Sequence, residues 1–208
     1  VACPITSCID LFISEYIEGS SNNKCIEIYN PTCSTITLTG VYTLRVYANG
    51  SSTPTTINLT GSIAPDDVFV VCNPSAGAAF LALADQTSGS VSFNGDDAVA
   101  LAKSAVNIDI IGQISCDPGT QWVSGAHSTL DKTLIRNSNV STGISTNPTG
   151  PCSTTSFTSL TTEWAVFSID NLADLGMHTA TCPSCCPTFS NAPSNVAITN
   201  STCGTGCT

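Results

Sequence analysis

Five of the chain's twelve cysteines fall between Cys182 and Cys207, in the run CPSCCPTFSNAPSNVAITNSTCGTGC. The pairs Cys182/Cys185 and Cys203/Cys207 are spaced CxxC and CxxxC, and four thiolates so placed could form a zinc ribbon. Against zinc stand the adjacent Cys186, the absence of basic residues in the segment, and seven further cysteines along the chain: Cys3, Cys8, Cys25, Cys33, Cys72, Cys116 and Cys152. Wide spreading in a Lys-poor chain points to staples in an oxidising compartment. All twelve are therefore disulfide candidates, and no metal is assigned to them. Spacing does not give the connectivity; Cys25 with Cys33, flanking the turn YNPTCS, is the local pair expected first.

Nucleophilic hydrolysis would need a Ser or Cys, a His base and an orienting acid. The two histidines sit in a Gly/Ser loop (His127 in SGAHSTLD) and at the end of the patterned region (His178), without a GxSxG or HExxH context. Both are expected in loop or packing roles, and no catalytic residue is assigned. Neighbouring carboxylates occur as Asp66/Asp67, Asp96/Asp97 and Glu15/Glu18. Adjacent residues of a strand point to opposite faces, so neither Asp-Asp pair makes a dyad by itself. NGDDAV reads as a hairpin turn followed by a strand. A calcium ion at Asp96 or Asp97 is the one cofactor considered, although no DxDxDG-type loop accompanies them. Four sequons, at Asn49, Asn58, Asn139 and Asn200, mark loops or strand ends where a glycan could sit.

The elements that must hold these residues are strands. DLFISEYIE, KCIEIYN, STITLTGVYTLRVYANG, TTINLTGSI, DVFVVCN, SVSFNGDDAVALA, VNIDIIGQI, KTLIRNS and EWAVFSI are short runs rich in β-branched and aromatic residues, separated by turn formers. In KCIEIYN, Cys25, Glu27 and Tyr29 alternate with Ile26 and Ile28, as in a strand with one buried face. About eight or nine such strands argue for an all-β antiparallel sandwich. PSAGAAFLALADQ is the one short helix expected. Residues 143–162 read as a long surface loop pinned by Cys152. Three regions follow: a Cys-containing N-terminal segment (1–10), the sandwich (11–179) and a Cys-rich tail with a lone strand (180–208).

Five basic residues against fifteen acidic ones give a net charge of −10, and only 10% of residues are charged. A surface so acidic disfavours nucleic acid, whose binding rests on Lys and Arg displacing counterions. The longest apolar stretches fall far short of a membrane span of about 20 residues. A hydroxyl-rich, charge-poor, cysteine-rich chain suits an extracellular or cell-surface protein.

LFISEYIEGSSNNKCIEIYNPT, LADQTSGSVSFNGDDAVALAK, IDIIGQI, DPGTQW and the closing EWAVFSIDNLADLGMHT together resemble the bacterial lamin-tail domain over roughly residues 11–179. The resemblance implies an immunoglobulin-like β-sandwich and a non-catalytic module of the kind attached to secreted nucleases, phosphatases and surface proteins. Fold analogy alone does not decide function. In SNVAITN, a strand without a local partner, Val196 and Ile198 could dock on a neighbouring copy or a following domain. The expected function is a non-catalytic structural subunit of a surface fibre or adhesin, joined head-to-tail through this tail, with the four sequons as its glycan candidates. The alternative is an accessory or binding module of a secreted nuclease or other hydrolase whose catalytic domain is absent. Partners are then copies of itself or neighbouring domains, and a glycan.

Overall fold

A computed structural model describes residues 8–182. Fourteen strands are formed in chain order: β1 (Phe12–Glu18), β2 (Lys24–Tyr29), β3 (Ile36–Thr37), β4 (Tyr42–Tyr47), β5 (Thr55–Asn58), β6 (Ser62–Ile63), β7 (Val68–Cys72), β8 (Gln86–Thr87), β9 (Ala98–Lys103), β10 (Val106–Ile111), β11 (Val123–Ser124), β12 (His127–Ser128), β13 (Lys132–Arg136) and β14 (Trp164–Phe167). A six-stranded sheet, ordered β14-β13-β1-β2-β7-β8, faces a four-stranded sheet ordered β10-β9-β4-β5. The main core lies between them, with Ile13, Tyr16, Ile26, Ile28 and Leu134 from the first sheet against Leu44, Val46, Val99, Leu101 and Ile111 from the second. This is the sandwich that the alternating runs argue for, in the immunoglobulin-like form that the lamin-tail resemblance implies.

Some local expectations are corrected. Pairing is antiparallel except at β7/β8, which is parallel, because the chain returns through α1 (Ala78–Leu81) before laying β8 beside β7. A second short helix, α2 (Leu160–Glu163), ends the long loop. That loop is not wholly a surface feature: Phe157 and Leu160 are buried in the main core, so its last turn is held by apolar packing. The NGDDAV turn precedes β9, but no strand enters it, so it is a turn rather than a hairpin.

The largest departure concerns β2. Every residue of β1 and β2 is buried, so their alternation does not mark one wet face and one dry one. The outer face of the six-stranded sheet carries a second cluster of Ile17, Cys25, Val70, Cys72, Ala76, Phe80 and Leu175. It is covered by α1 and by the strap that follows β14, residues 168–182. The strap begins with Asp170, whose carboxylate accepts from the Ser20 N–H (2.9 Å), the Ser20 hydroxyl (2.5 Å) and Asn23 Nδ2 (3.0 Å) in the β1–β2 turn. It ends where the Thr181 N–H donates to the Ser138 carbonyl (2.6 Å). The strap thus crosses the sheet along β1 and β2, from their shared turn to the start of β1.

Candidate functional site

Disulfides account for the cysteines that the structure describes. Cys25 bonds Cys72, its direct partner across β2/β7, with Cα atoms 4.1 Å apart. The expected Cys25–Cys33 pair is therefore wrong. Cys25 faces the outer cluster from within a strand, whereas Cys33 lies beyond the end of β2 and is disulfide-bonded elsewhere. Cys116 bonds Cys152 and pins the long loop. Cys8 bonds Cys182 across 174 residues of chain. That bond removes one thiol from the CxxC/CxxxC set on which a zinc ribbon would rest. Cys3, Cys185, Cys186, Cys203 and Cys207 lie outside the described residues, as do Val196, Ile198 and Asn200. Asn49, Asn58 and Asn139 are all exposed, at a turn, at the end of β5 and in the loop after β13.

The residues singled out for acid–base or metal chemistry are dispersed among structural contacts. His127 stands on the short β12 hairpin. His178, in the strap, packs edge-on against Tyr29 (5.0 Å between ring centres) and Phe12 (5.9 Å). Burial, assisted by the nearby Arg136 charge, lowers its pKa to about 4, so it is neutral at physiological pH. Asp67 accepts from the Val68 N–H (2.9 Å), and Asp66 accepts from the Tyr29 hydroxyl (3.1 Å). Asp97 accepts from the backbone N–H groups of Asn49 (2.7 Å) and Asn94 (2.8 Å), so both its oxygens hold turns together. Asp96 has one buried oxygen without a hydrogen-bond partner, and burial raises its pKa. Among the described residues no group of three or more His, Cys, Asp and Glu is placed to hold a metal ion.

Two carboxylate groups stand out, and the pairings within them were not anticipated. Glu15 lies directly opposite Glu27 across β1/β2, not with Glu18, which is turned the other way and forms a buried ion pair with Lys24. Glu27 accepts from the Ser14 hydroxyl (2.6 Å) and from the Gly176 N–H of the strap (2.7 Å). Both oxygens of Glu15 are buried without a partner. Burial, then the Glu27 and Asp174 charges, pushes the Glu15 pKa up to about 9. Burial also pushes Glu27 up to about 7, with the Ser14 and Gly176 bonds acting in the opposite direction. One sequence signal was available: Glu27 shares its face with Cys25 and Tyr29, a composition that suits cover rather than water.

The second group joins the two sheets. Asp109 of β10 pairs with Arg136 of β13 at 2.6 Å, both side chains fully buried. The same carboxylate accepts from the backbone N–H groups of Ile13 and Ile144, each at 2.8 Å. Arg136 also reaches Glu163 of α2 (3.0 Å), and its guanidinium lies 4.3 Å over the Trp164 ring. A side chain at Gly143 would collide with Asp109, which is why the loop passes there as glycine.

The remaining arrangement is where the chain enters and leaves the domain. Cys8 donates its N–H to the Ser141 carbonyl (2.9 Å) while bonded to Cys182, so both chain ends meet at the loop following β13. In the same loop the Asn137 N–H donates to the Glu163 carbonyl (2.8 Å), just before β14 begins. Among the described residues β14 has only β13 as a strand neighbour, and its last residue, Phe167, is 40% exposed. The described chain therefore ends at the loop after β13, one strand in from β14.

No curated protein and no solved structure matches the chain. The Lamin Tail Domain family model matches residues 5–115, which carry β1 to β10 and so both faces of the main core. The match stops short of the closing tryptophan strand, yet β13 and β14 complete the same six-stranded sheet. With more than half its length matched and the sandwich in place, the chain belongs to the lamin tail domain family.

Proposed function

We propose that the protein is a non-catalytic, extracellular structural subunit that joins other copies head-to-tail, the tail of one copy adding a strand to the next. The observation that carries this reading is the Cys8–Cys182 bond, which fixes the root of the tail at the loop after β13, one strand in from β14, the outermost described strand of its sheet. An edge strand presents unpaired N–H and C=O groups, and an extended segment can satisfy them by adding to the sheet. In SNVAITN, Val196 and Ile198 fall two residues apart, so that as a strand both would point to one face, with Asn195, Ala197 and Thr199 on the other. Its root at Cys182 is fixed to this domain, so on a neighbour it would make a heterologous contact that propagates. An extracellular setting is supported by the Cys8–Cys182, Cys25–Cys72 and Cys116–Cys152 bonds, which persist in oxidising surroundings. No helix among the described residues is long and apolar enough to cross a membrane. A non-enzymatic role is supported by the structural contacts of His178, Asp66 and Asp97.

The test is the native mass of unreduced protein, by light scattering and negative-stain microscopy. Regular oligomers or filaments are expected, and Val196→Asp/Ile198→Asp should return them to monomers with an unchanged melting temperature. A monomer at every concentration, or filaments indifferent to that double change, would overturn the proposal.

A further inference from the structure

We propose that the strap is an alkali-released cover: it lies over the Glu15–Glu27 pair while Glu15 keeps its proton, and it lifts as alkali removes that proton, baring the outer apolar cluster while the two sheets stay folded. Isolated chains suffice to test this, so it stands apart from the assembly reading.

Glu15 and Glu27 meet directly across β1/β2, on the face that the strap covers. Apolar residues flank them in register, Ile135 of β13 beside Glu15 and Val70 of β7 beside Glu27. The strap adds a further carboxylate, Asp174, whose charge bears on both. Asp85, beyond α1, is committed to the Val70 N–H (2.8 Å), and α1 itself carries no charged residue. The cations of the neighbouring strands are engaged elsewhere. Lys24 at the start of β2 pairs with Glu18, and Arg136 of β13 pairs with Asp109 and Glu163. Lys132 of β13 stands opposite Glu18. His178 of the strap is neutral above about pH 4 and packs against Tyr29 and Phe12.

The two carboxyl groups are not alike. Glu27 receives the Ser14 hydroxyl on one oxygen and the Gly176 N–H on the other, so it can carry a charge where it lies. Glu15 is fully buried and neither of its oxygens has a partner, so its charge would face another carboxylate with no donor to answer it. Lifting the strap lets water reach Glu15, which then ionises as an ordinary carboxyl group. Each rise in pH therefore favours the lifted form, until Glu15 ionises under the strap as well, at about 9. Glu27 adds to this drive only up to about 7, so above that value the balance follows Glu15 alone. The strap is the part that can give way. It is irregular backbone held at separate points, among them Gly176 on Glu27, Leu175 in the outer cluster and the Asn171 carbonyl on the Thr133 hydroxyl (3.3 Å). β1, by contrast, is laddered to β2 on one side and β13 on the other. Lifting strips the cover from Ile17, Val70 and Phe80.

NMR of the disulfide-intact chain, labelled with 13C at leucine methyls and glutamate carboxyls, reads this out. Leu175 reports on the strap, and Leu44, Leu101 and Leu134 report on the main core. As pH rises, the Leu175 methyls should move to solvent-like positions while the core leucines keep theirs. Between about pH 7 and about pH 9 the ratio of lifted to closed strap should rise about tenfold per pH unit, the slope of one proton, and then level off. Returning to acid should restore the Leu175 signals. Glu15→Gln keeps the shape and cannot ionise, so it should abolish that slope. Leu175 methyls that stay in place to the top of the range would overturn the proposal, as would movement of the core leucines in step with them, or a Glu15→Gln chain with the wild-type slope. Should that variant fail to fold, the wild-type carboxyl signals decide. Glu15 ionising in step with the Leu175 movement supports the cover, and Leu175 movement without it overturns the idea.

Discussion

At the residue scale the fold depends most on Asp109. Its carboxylate, from β10, meets one buried guanidinium of β13, the buried Ile13 N–H of β1 and the partly buried Ile144 N–H of the long loop. Removing one partner of a buried ion pair leaves the other charged and unpaired, at a cost of about 3–5 kcal/mol. Asp109→Asn keeps the shape and loses the charge, so its cost isolates the electrostatic part. We expect it to destabilise by about that amount, read from urea unfolding. Glu163→Gln should cost less, because Glu163 is partly exposed and Arg136 keeps Asp109. Equal losses in the two variants would mean that the Arg136–Asp109 pair is not the central contact.

At the scale of elements, the strap over β1 and β2 makes stability depend on pH in a direction that the groups beneath it fix. Glu15 and Glu27 have folded pKa values of about 9 and about 7, above their ordinary 4.5. A raised carboxylate binds its proton more tightly when folded, so its contribution is complete below pH 4.5 and is lost as pH climbs towards those values. His178 acts the other way: with its value lowered from 6.5 to about 4, its contribution holds above pH 6.5 and is lost as pH falls through 4. Between 4.5 and 6.5 two carboxylates outweigh one imidazole, so these groups place the optimum near the acid end of that interval. Each unit between folded and unfolded values is worth about 1.4 kcal/mol, and unfolding free energy should fall by several kcal/mol from pH 5 to pH 8.5. Glu15→Gln should flatten that fall; an unchanged slope would show that Glu15 does not titrate beneath the strap. The strap also marks the limit of what the sequence disclosed. Strand positions and the sandwich were legible because period-two alternation is local. The partner of Glu15 was not, because a register irregularity between Ile13 and Glu15 sets which residue it faces on β2, and because the return of residues 172–178 over the sheet rests on contacts about 150 residues apart. Cys25 was misassigned for the same reason: its partner at Cys72 is adjacent only once β2 and β7 pair.

At the scale of the whole molecule, the three disulfides within the described residues differ mainly in how much chain they close. Cys116–Cys152 spans 36 residues, Cys25–Cys72 spans 47 and Cys8–Cys182 spans 174. In the chain-entropy account a bond stabilises by restricting the unfolded ensemble, by about 4 kcal/mol for the two shorter loops and about 5 kcal/mol for the longest. Of the three, Cys8–Cys182 should therefore contribute the most by entropy. Cys25–Cys72 sits inside the outer cluster, and replacing it also leaves a packing defect beside Ile17, Val70 and Phe80. The two contributions separate in denaturant. Cys8→Ser/Cys182→Ser should lower the urea midpoint and raise the slope of free energy against urea, because the opened chain exposes more surface when unfolded. Cys25→Ala/Cys72→Ala should lower the midpoint with a smaller change in slope. A Cys8→Ser/Cys182→Ser variant whose slope and midpoint both match wild type would show that this bond does not restrict the unfolded chain.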